Sequence, residues 1–193
     1  MIRQAQAMIP TPWGEFLLVA YAETPDEQMP HLALVHKDFD PTQAVYLRIH
    51  SECMTGDLFG SHRCDCGEQL EAAMQLAAEK GGVVIYLRQE GRGIGLINKL
   101  KAYNLQDQGM NTLDANTHLG FEVDSRAYGL AIEIMEDLGI EKINLMTNNP
   151  DKIHAVEDSA VEVVSRIPLV ITAKNENRNY LDAKKKFMGH ILD

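Results

Sequence analysis

Apolar residues follow two different spacings along this chain. In the first third they stand in short runs: Glu15 to Ala22 (EFLLVAYA), His31 to His36 (HLALVH) and Ala44 to His50 (AVYLRIH), separated by turns containing Pro and Asp. Such runs predict strands, and the short spacing favours antiparallel pairing. The period then changes. From Glu68 to Lys80, Leu70, Ala73, Met74 and Ala77 fall at i, i+3, i+4, i+7, one face of a helix that Gly81-Gly82 ends.

Val83 to Leu87 predicts the next strand, followed by a Gly-rich turn from Gly91 to Gly95 and a helix from about Leu96 to Gln108, stopped by Gly109. Asn111 to Val123 shows no clear period and reads as a loop. A helix over about Ser125 to Leu138 places Tyr128, Ala131, Ile132, Met135 and Leu138 on one face, and Gly139 closes it. The strand Lys142 to Met146, the polar turn Thr147 to Pro150, a short helix over about Asp151 to Glu157 and the strand Val161 to Val164 complete the pattern. From Thr172 the chain is polar and basic (Lys184, Lys185, Lys186), a docked helix or a mobile end. There is no repeat and no low-complexity segment. The order predicts an α+β or three-layer α/β fold: a β-rich N-terminal part, then helix–strand alternation, with a mixed sheet. One domain covers residues 1–193, with about 172–193 as its polar tail.

Composition narrows the function classes. The 193 residues fit a single domain, and 45% hydrophobic with 24% charged residues excludes a disordered chain. Eighteen Lys and Arg against 28 Asp and Glu give a net charge of −10, which argues against a nucleic-acid partner while allowing a small phosphorylated substrate in a local basic pocket. The longest apolar runs fall far short of the roughly 20 residues that cross a bilayer, so no membrane partner is expected. Met1 to Pro10 has one Arg and no continuous apolar stretch, unlike a signal peptide. The expected compartment is the cytoplasm.

Three cysteines, Cys53, Cys64 and Cys66, lie within one short segment. An odd, clustered set points to metal or catalysis more than to disulfides. Three thiolates can hold Zn²⁺ with one position open. A closed site that adds His50 or His62, or three small buried hydrophobes, are the alternatives. The turn Arg88 to Leu96 (RQEGRGIGL) can bring backbone near a phosphate. It is not a dinucleotide fingerprint, because Leu96 stands where the last Gly belongs, and it is not a P-loop. Asp124-Ser125-Arg126 reads as an N-cap and first turn, and Thr147 to Lys152 (TNNPDK) as a polar turn at a strand end, where α/β sheets bind ligands.

Taken together, RIHSECMTGDLFGSHRCDCGEQLEAA, RQEGRGIGL, KAYNLQDQG, ANTHLGFEVDSR and MTNNPDK resemble the GTP cyclohydrolase II family. The likeness runs from TPWGEF at Thr11 to YLDAKKKFMGH in the tail, and its length suits the stand-alone form rather than the two-domain forms. The resemblance implies a zinc-dependent hydrolase that opens the guanine imidazole ring of GTP at C8 and releases formate and pyrophosphate, the first committed step of riboflavin biosynthesis. It implies a catalytic Zn²⁺ on Cys53, Cys64 and Cys66, and Tyr103 assisting ring opening. It implies Arg126 as nucleophile on the α-phosphorus and Asp124 as proton acceptor. GTP would contact Arg48, Ile49, His50, Ser51, Glu52, Gln69, Glu90, Gly91, Arg92, Thr112, Thr147 and Lys152. Glu90 or Gln69 would read the guanine edge, and Arg92 and Lys152 would bind phosphates. Mg²⁺ would accompany the triphosphate, and the enzyme would be a homodimer. The competing readings are a structural-zinc module for a protein or RNA partner, and a nicotinamide dehydrogenase built on the Gly-rich turn.

Overall fold

The short runs of the first third pair as expected, but they are joined by a strand the apolar pattern does not show. The computed structural model describes residues 1–122, 124–174, 176–187 and 189–191, without the side chains of Thr112, Leu113, Asn179, Ala183 and Phe187. Strand β1 (Ile2–Thr11) pairs antiparallel with β2 (Gly14–Ala22), Thr11 opposite Gly14. Thr11 closes this turn, its Oγ1 donating to the Gly14 carbonyl at 2.7 Å and accepting the Trp13 N–H at 3.2 Å. As an edge strand with mostly exposed side chains, β1 is held by its hydrogen-bond ladder more than by burial, so it carries no apolar signature.

β2 pairs antiparallel with β3 (His31–His36). The next strand in sequence, β4 (Val45–Ser51), does not add beside β3, which corrects the expectation of a simple antiparallel series. Helix α1 (Met54–Asp57) and helix α2 (Cys66–Lys80) follow it, and the crossover returns the chain as β5 (Val83–Leu87), between β3 and β4. β5 is antiparallel to β3 and parallel to β4, the orientation a helical crossover produces. Gly81 ends α2 with φ +66°, and a Cβ there would meet the Asp38 carbonyl oxygen at 2.6 Å.

Helix α3 (Gly95–Asp107) follows the Gly-rich turn. Residues 111–123, expected as a loop, contain helix α4 (Thr112–His118), capped by Asn111, whose side chain accepts the Asp114 N–H at 2.9 Å. Helix α5 is Gly129–Asp137, four residues shorter at its start than the expected Ser125. The reason is local: Asp124 Oδ1 takes the Arg126 N–H at 3.1 Å, a side-chain bond that competes with helix formation. β6 (Lys142–Met146) lies parallel to β4, and helix α6 (Pro150–Glu157) leads to β7 (Glu162–Ile167), parallel to β6. The sheet order is β1-β2-β3-β5-β4-β6-β7.

Alternation along β5 separates two cores. Val83, Ile85 and Leu87 pack with Ala131, Ile134 and Met135 of α5, whereas Val84 packs with Ala73, Met74 and Ala77 of α2. The sheet therefore lies between helical layers, the expected mixed three-layer arrangement. The tail beyond residue 172 carries helix α7 (Arg178–Phe187), docked through buried Leu181 and Lys184. No helix among the described residues is long and apolar enough to cross a membrane.

Candidate active site

The parallel strands β4, β5 and β6 end at Ser51, Leu87 and Met146, and the chain leaving them opens around one cavity of about 1070 Å³, open solvent at its mouth included. This is the carboxyl edge at which α/β sheets bind ligands.

The cysteines come together at one end. Their Sγ atoms all lie within 4.8 Å of one another, Cys53 and Cys64 at 3.5 Å. Four thiolate-type positions around Zn²⁺ at about 2.3 Å would be roughly 3.8 Å apart, so the cluster is compatible with zinc. Its electrostatics point the same way. Hydrogen bonds from Cys64 and Cys66, then the Lys99 ammonium, pull the Cys53 thiol far down, whereas Cys64 is pushed up to about 11 by its bond to Cys53. One thiolate forms at the expense of its neighbours, a conflict that a divalent cation removes.

Backbone contact sets this cage. α1 and α2 meet glycine to glycine: a Cβ on Gly67 would collide with the Gly56 carbonyl oxygen, and a Cβ on Gly56 would stand 3.0 Å from Cys64 Sγ. Gly67→Ala should therefore push the helices apart, destabilising the fold by about 1–3 kcal/mol and lowering zinc retention. A thermal midpoint and zinc content matching the parent protein would contradict this. Asp57 fixes the other side. Its Oδ2 accepts the Cys53 N–H at 2.9 Å and the Tyr86 hydroxyl at 2.9 Å, and His50 Nε2 lies 3.0 Å from both carboxylate oxygens. Burial lowers the His50 pKa, His50 joins Asp57 rather than the sulfur cluster, and the metal-ligand group among the described residues holds the three cysteines without His50 or His62.

Tyr103 and Lys99, both on α3, flank the cage. Tyr103's hydroxyl lies 3.5 Å from Thr55 Oγ1, its ring lies 4.8 Å from the Arg63 guanidinium, and burial raises its pKa. Lys99 Nζ donates to Cys53 Sγ at 3.1 Å and to Glu90 Oε1 at 2.8 Å. Burial opposes this ammonium, but Cys53 and Glu90 outweigh it and hold it charged. Glu90 also accepts the Met54 N–H at 2.6 Å and the Gly91 N–H at 2.7 Å. Gln69 is similarly committed, accepting from Arg48 Nη2 at 2.6 Å and donating to Asp65 Oδ2 at 2.5 Å. Both residues expected at the guanine edge line the cavity and are hydrogen-bonded to their neighbours. Glu52 lines the cavity with Oε1 held by Arg88 at 2.7 Å.

The opposite end is cationic. Arg48 donates to the Met146 carbonyl at 3.0 Å, and Lys152 Nζ donates to the Ile49 carbonyl at 2.8 Å. Burial, then the charges of Arg48, Arg126 and Lys184, hold Lys152 well below the usual lysine range. Among the described residues, Arg92 is the one non-glycine with left-handed backbone, φ +62°, and its Nη1 is buried without a partner. In the Gly-rich turn Gly91 and Arg92 both take left-handed backbone, φ +63° and +62°, just before α3. Arg126 donates through Nε to Asp124 Oδ1 at 2.8 Å and through Nη2 to Oδ2. Burial opposes the guanidinium, but Asp124 outweighs it and raises its pKa.

Of the residues expected at the site, Ser51, Gly91 and Thr147 also line the cavity. Ile49 does not contribute a side chain: it is wholly buried in the core, leaving only its carbonyl. Asp124 pairs with Arg126, which lines the cavity. The Thr112 side chain lies outside the described residues. Sequence reasoning missed Asp57, Asp65 and Lys99. The two aspartates stand inside the cysteine motif, and that position was their only signal.

A thiol cage and a buried group of cations, opening into one cavity at the carboxyl edge of a mixed sheet, define a site for a phosphorylated ligand beside a metal-compatible centre. Comparison supplies the family: the model of GTP cyclohydrolase II matches residues 2–168, and the chain belongs to that family. It is 49% identical over 192 residues to the riboflavin biosynthesis protein RibBA of Bacillus cereus, covering 99% of this chain and 48% of that protein. The RibBA protein of Chlorobium phaeovibrioides is 50% identical over 191 residues, covering 98% and 46%. The chain thus spans about half the length of the curated relatives it matches. Among solved structures, RibBX, a two-domain 3,4-dihydroxy-2-butanone 4-phosphate synthase from A. baumannii, overlays with a TM-score of 0.49 at 22% identity, covering 89% of this chain and 40% of that one.

Proposed function

We propose that this chain converts GTP to 2,5-diamino-6-(5-phosphoribosylamino)pyrimidin-4(3H)-one, releasing formate and pyrophosphate, as the entry step of riboflavin biosynthesis. The observation that carries this reading is the single cavity shared by the thiol cage and the cations, which lets one nucleotide meet both. Cys53, Cys64 and Cys66 would hold a zinc ion, which supplies Lewis acidity and activated water for opening the ring at C8.

The chain's own residues divide the remaining work. Tyr103, which keeps its proton, donates a hydrogen bond at the ring-opening end, and Glu52 accepts from the guanine N1–H and N2 edge. Arg92 and Lys152 hold phosphate oxygens through charge-assisted bonds. Arg126 attacks the α-phosphorus: a P–N bond forms, the bond to pyrophosphate breaks, and Asp124 takes the guanidinium proton before water hydrolyses the P–N bond. The Asp124 contact supports this role, and the raised proton affinity of Arg126 opposes it. Among the described residues the cysteines form the one group of three metal-ligand side chains, so Mg²⁺ would enter bound to the triphosphate. A homodimer belongs to the same reading, and sedimentation at twice the chain mass tests it.

The deciding experiment incubates zinc-loaded protein with GTP and Mg²⁺ and assays formate and pyrophosphate. Both should appear. Folded, zinc-loaded protein that yields no formate refutes the reading.

Lys152 gives a second expected result. Its pKa is depressed in the free protein, and an arriving polyphosphate favours its charged form, so the complex binds more protons than its parts. Titration calorimetry in buffers of different ionisation enthalpy should show proton uptake, and Lys152→Gln should abolish it. Heats independent of buffer would contradict this.

A further inference from the structure

Helix α7 lies beyond residues 2–168, the span the family model matches, yet it reaches the cavity: Tyr180 and Lys184 line it. Lys184 Nζ donates to Asp65 Oδ1 at 2.6 Å, and both side chains are buried. The other Asp65 oxygen accepts from Gln69, which in turn holds Arg48. Lys184 therefore enters the same buried row as Arg48. Tyr180 joins this row to the Gly-rich turn. The Lys184 ammonium lies 4.6 Å from its ring centroid, and the Arg92 guanidinium lies 5.9 Å from the same centroid.

The donors and charges of this corner are not exhausted. An ammonium has three N–H donors, and Asp65 takes one from Lys184. Among the described residues, Arg92 Nη1 is buried without a partner. Arg48, Arg92, Arg126, Lys152 and Lys184 all line the cavity, and buried cations at this density call for an anion between them. The tail is tied down around them: Asn177 Oδ1 accepts the Lys174 N–H at 2.8 Å, and the Ile191 N–H donates to the Asn148 carbonyl at 2.9 Å.

We propose that α7 completes the polyphosphate end of the substrate site, with Lys184 a substrate-binding cation and Tyr180 the positioning residue that holds Lys184 and Arg92 at one ring. This rests on the GTP reading above. The phosphate-specific part is tested separately with inorganic pyrophosphate.

Affinities for GTP, guanosine and pyrophosphate would be measured on the zinc-loaded full chain. Lys184→Ala should weaken GTP and pyrophosphate about tenfold, the loss of one charge-assisted bond, and guanosine less than twofold. Lys184→Arg should restore most of the loss. Lys186→Ala, an exposed position on the same helix, should change nothing. Tyr180→Leu should copy the selective loss, and Tyr180→Phe should not. Unchanged GTP and pyrophosphate affinity in Lys184→Ala would overturn the proposal. So would an equal loss for GTP and guanosine, because that marks support of Asp65 and the fold rather than phosphate contact. If the parent protein ignored GTP and guanosine alike, the GTP reading would fall, and the pyrophosphate series would still decide Lys184.

Discussion

Cys66→Ser protein should carry no zinc, release no formate from GTP, and still release pyrophosphate. The expected loss in ring opening is at least about a thousandfold, or about 4 kcal/mol in barrier. The separation follows from where the groups lie. Cys66 begins α2 and belongs to the cage set by α1 and α2. Arg126 and Asp124 lie in the irregular segment before α5 and make no contact with the sulfurs in their hydrogen bonds. Metal analysis and separate assays for formate and pyrophosphate check it. Cys66→Ser protein that binds GTP and releases no pyrophosphate would show the two chemistries to be coupled, and zinc-free protein that still makes formate would remove zinc from the reaction.

Arg126→Lys should abolish pyrophosphate release, by about a thousandfold or more if Arg126 is the nucleophile. Lysine keeps the charge but has no second nitrogen, so it cannot span both oxygens of Asp124 as Nε and Nη2 do. Arg126→Ala would be inactive whether the arginine attacks or only neutralises charge, so the lysine variant is the informative one. Rapid quenching of the parent reaction, read by mass spectrometry, should trap a guanylyl adduct on this segment. A lysine variant near parental rate, with no adduct trapped, would leave Arg126 as an electrostatic clamp. The structure makes the test pointed, because the ion pair that brings base to guanidinium also tightens the guanidinium's hold on its proton.

Which parts of this molecule were legible in its sequence follows from the range of the interactions that make them. α2 and β5 are fixed by apolar period and by Gly81, all local, and they appear where expected. β1 is built by pairing with little burial, and α4 is a seven-residue helix held by a cap, so neither shows an apolar period. The cage was legible because its three cysteines lie within one short segment. The resemblance named Arg48, Arg92, Arg126 and Lys152 one by one, but spacing does not show that they meet or that Lys184 joins them, because the contacts run from Arg48 to Met146 across 98 positions and from Lys184 to Asp65 across 119. The family resemblance placed Glu90 or Gln69 at the guanine edge. Only the structure shows that Met54, Gly91, Lys99 and Arg48 already claim them.

The seam at β5, antiparallel on one side and parallel on the other, also divides the molecule in time. Eight residues (23–30) separate β2 from β3, whereas ninety (52–141) separate β4 from its partner β6. Closing the longer loop costs about 2 kcal/mol more in chain entropy. The meander can therefore form early on local contacts, and the carboxyl edge assembles only after the long crossover has closed. The half of the sheet that carries the candidate site is therefore expected to form last, which folding-rate measurements on variants of β2 and β6 would check.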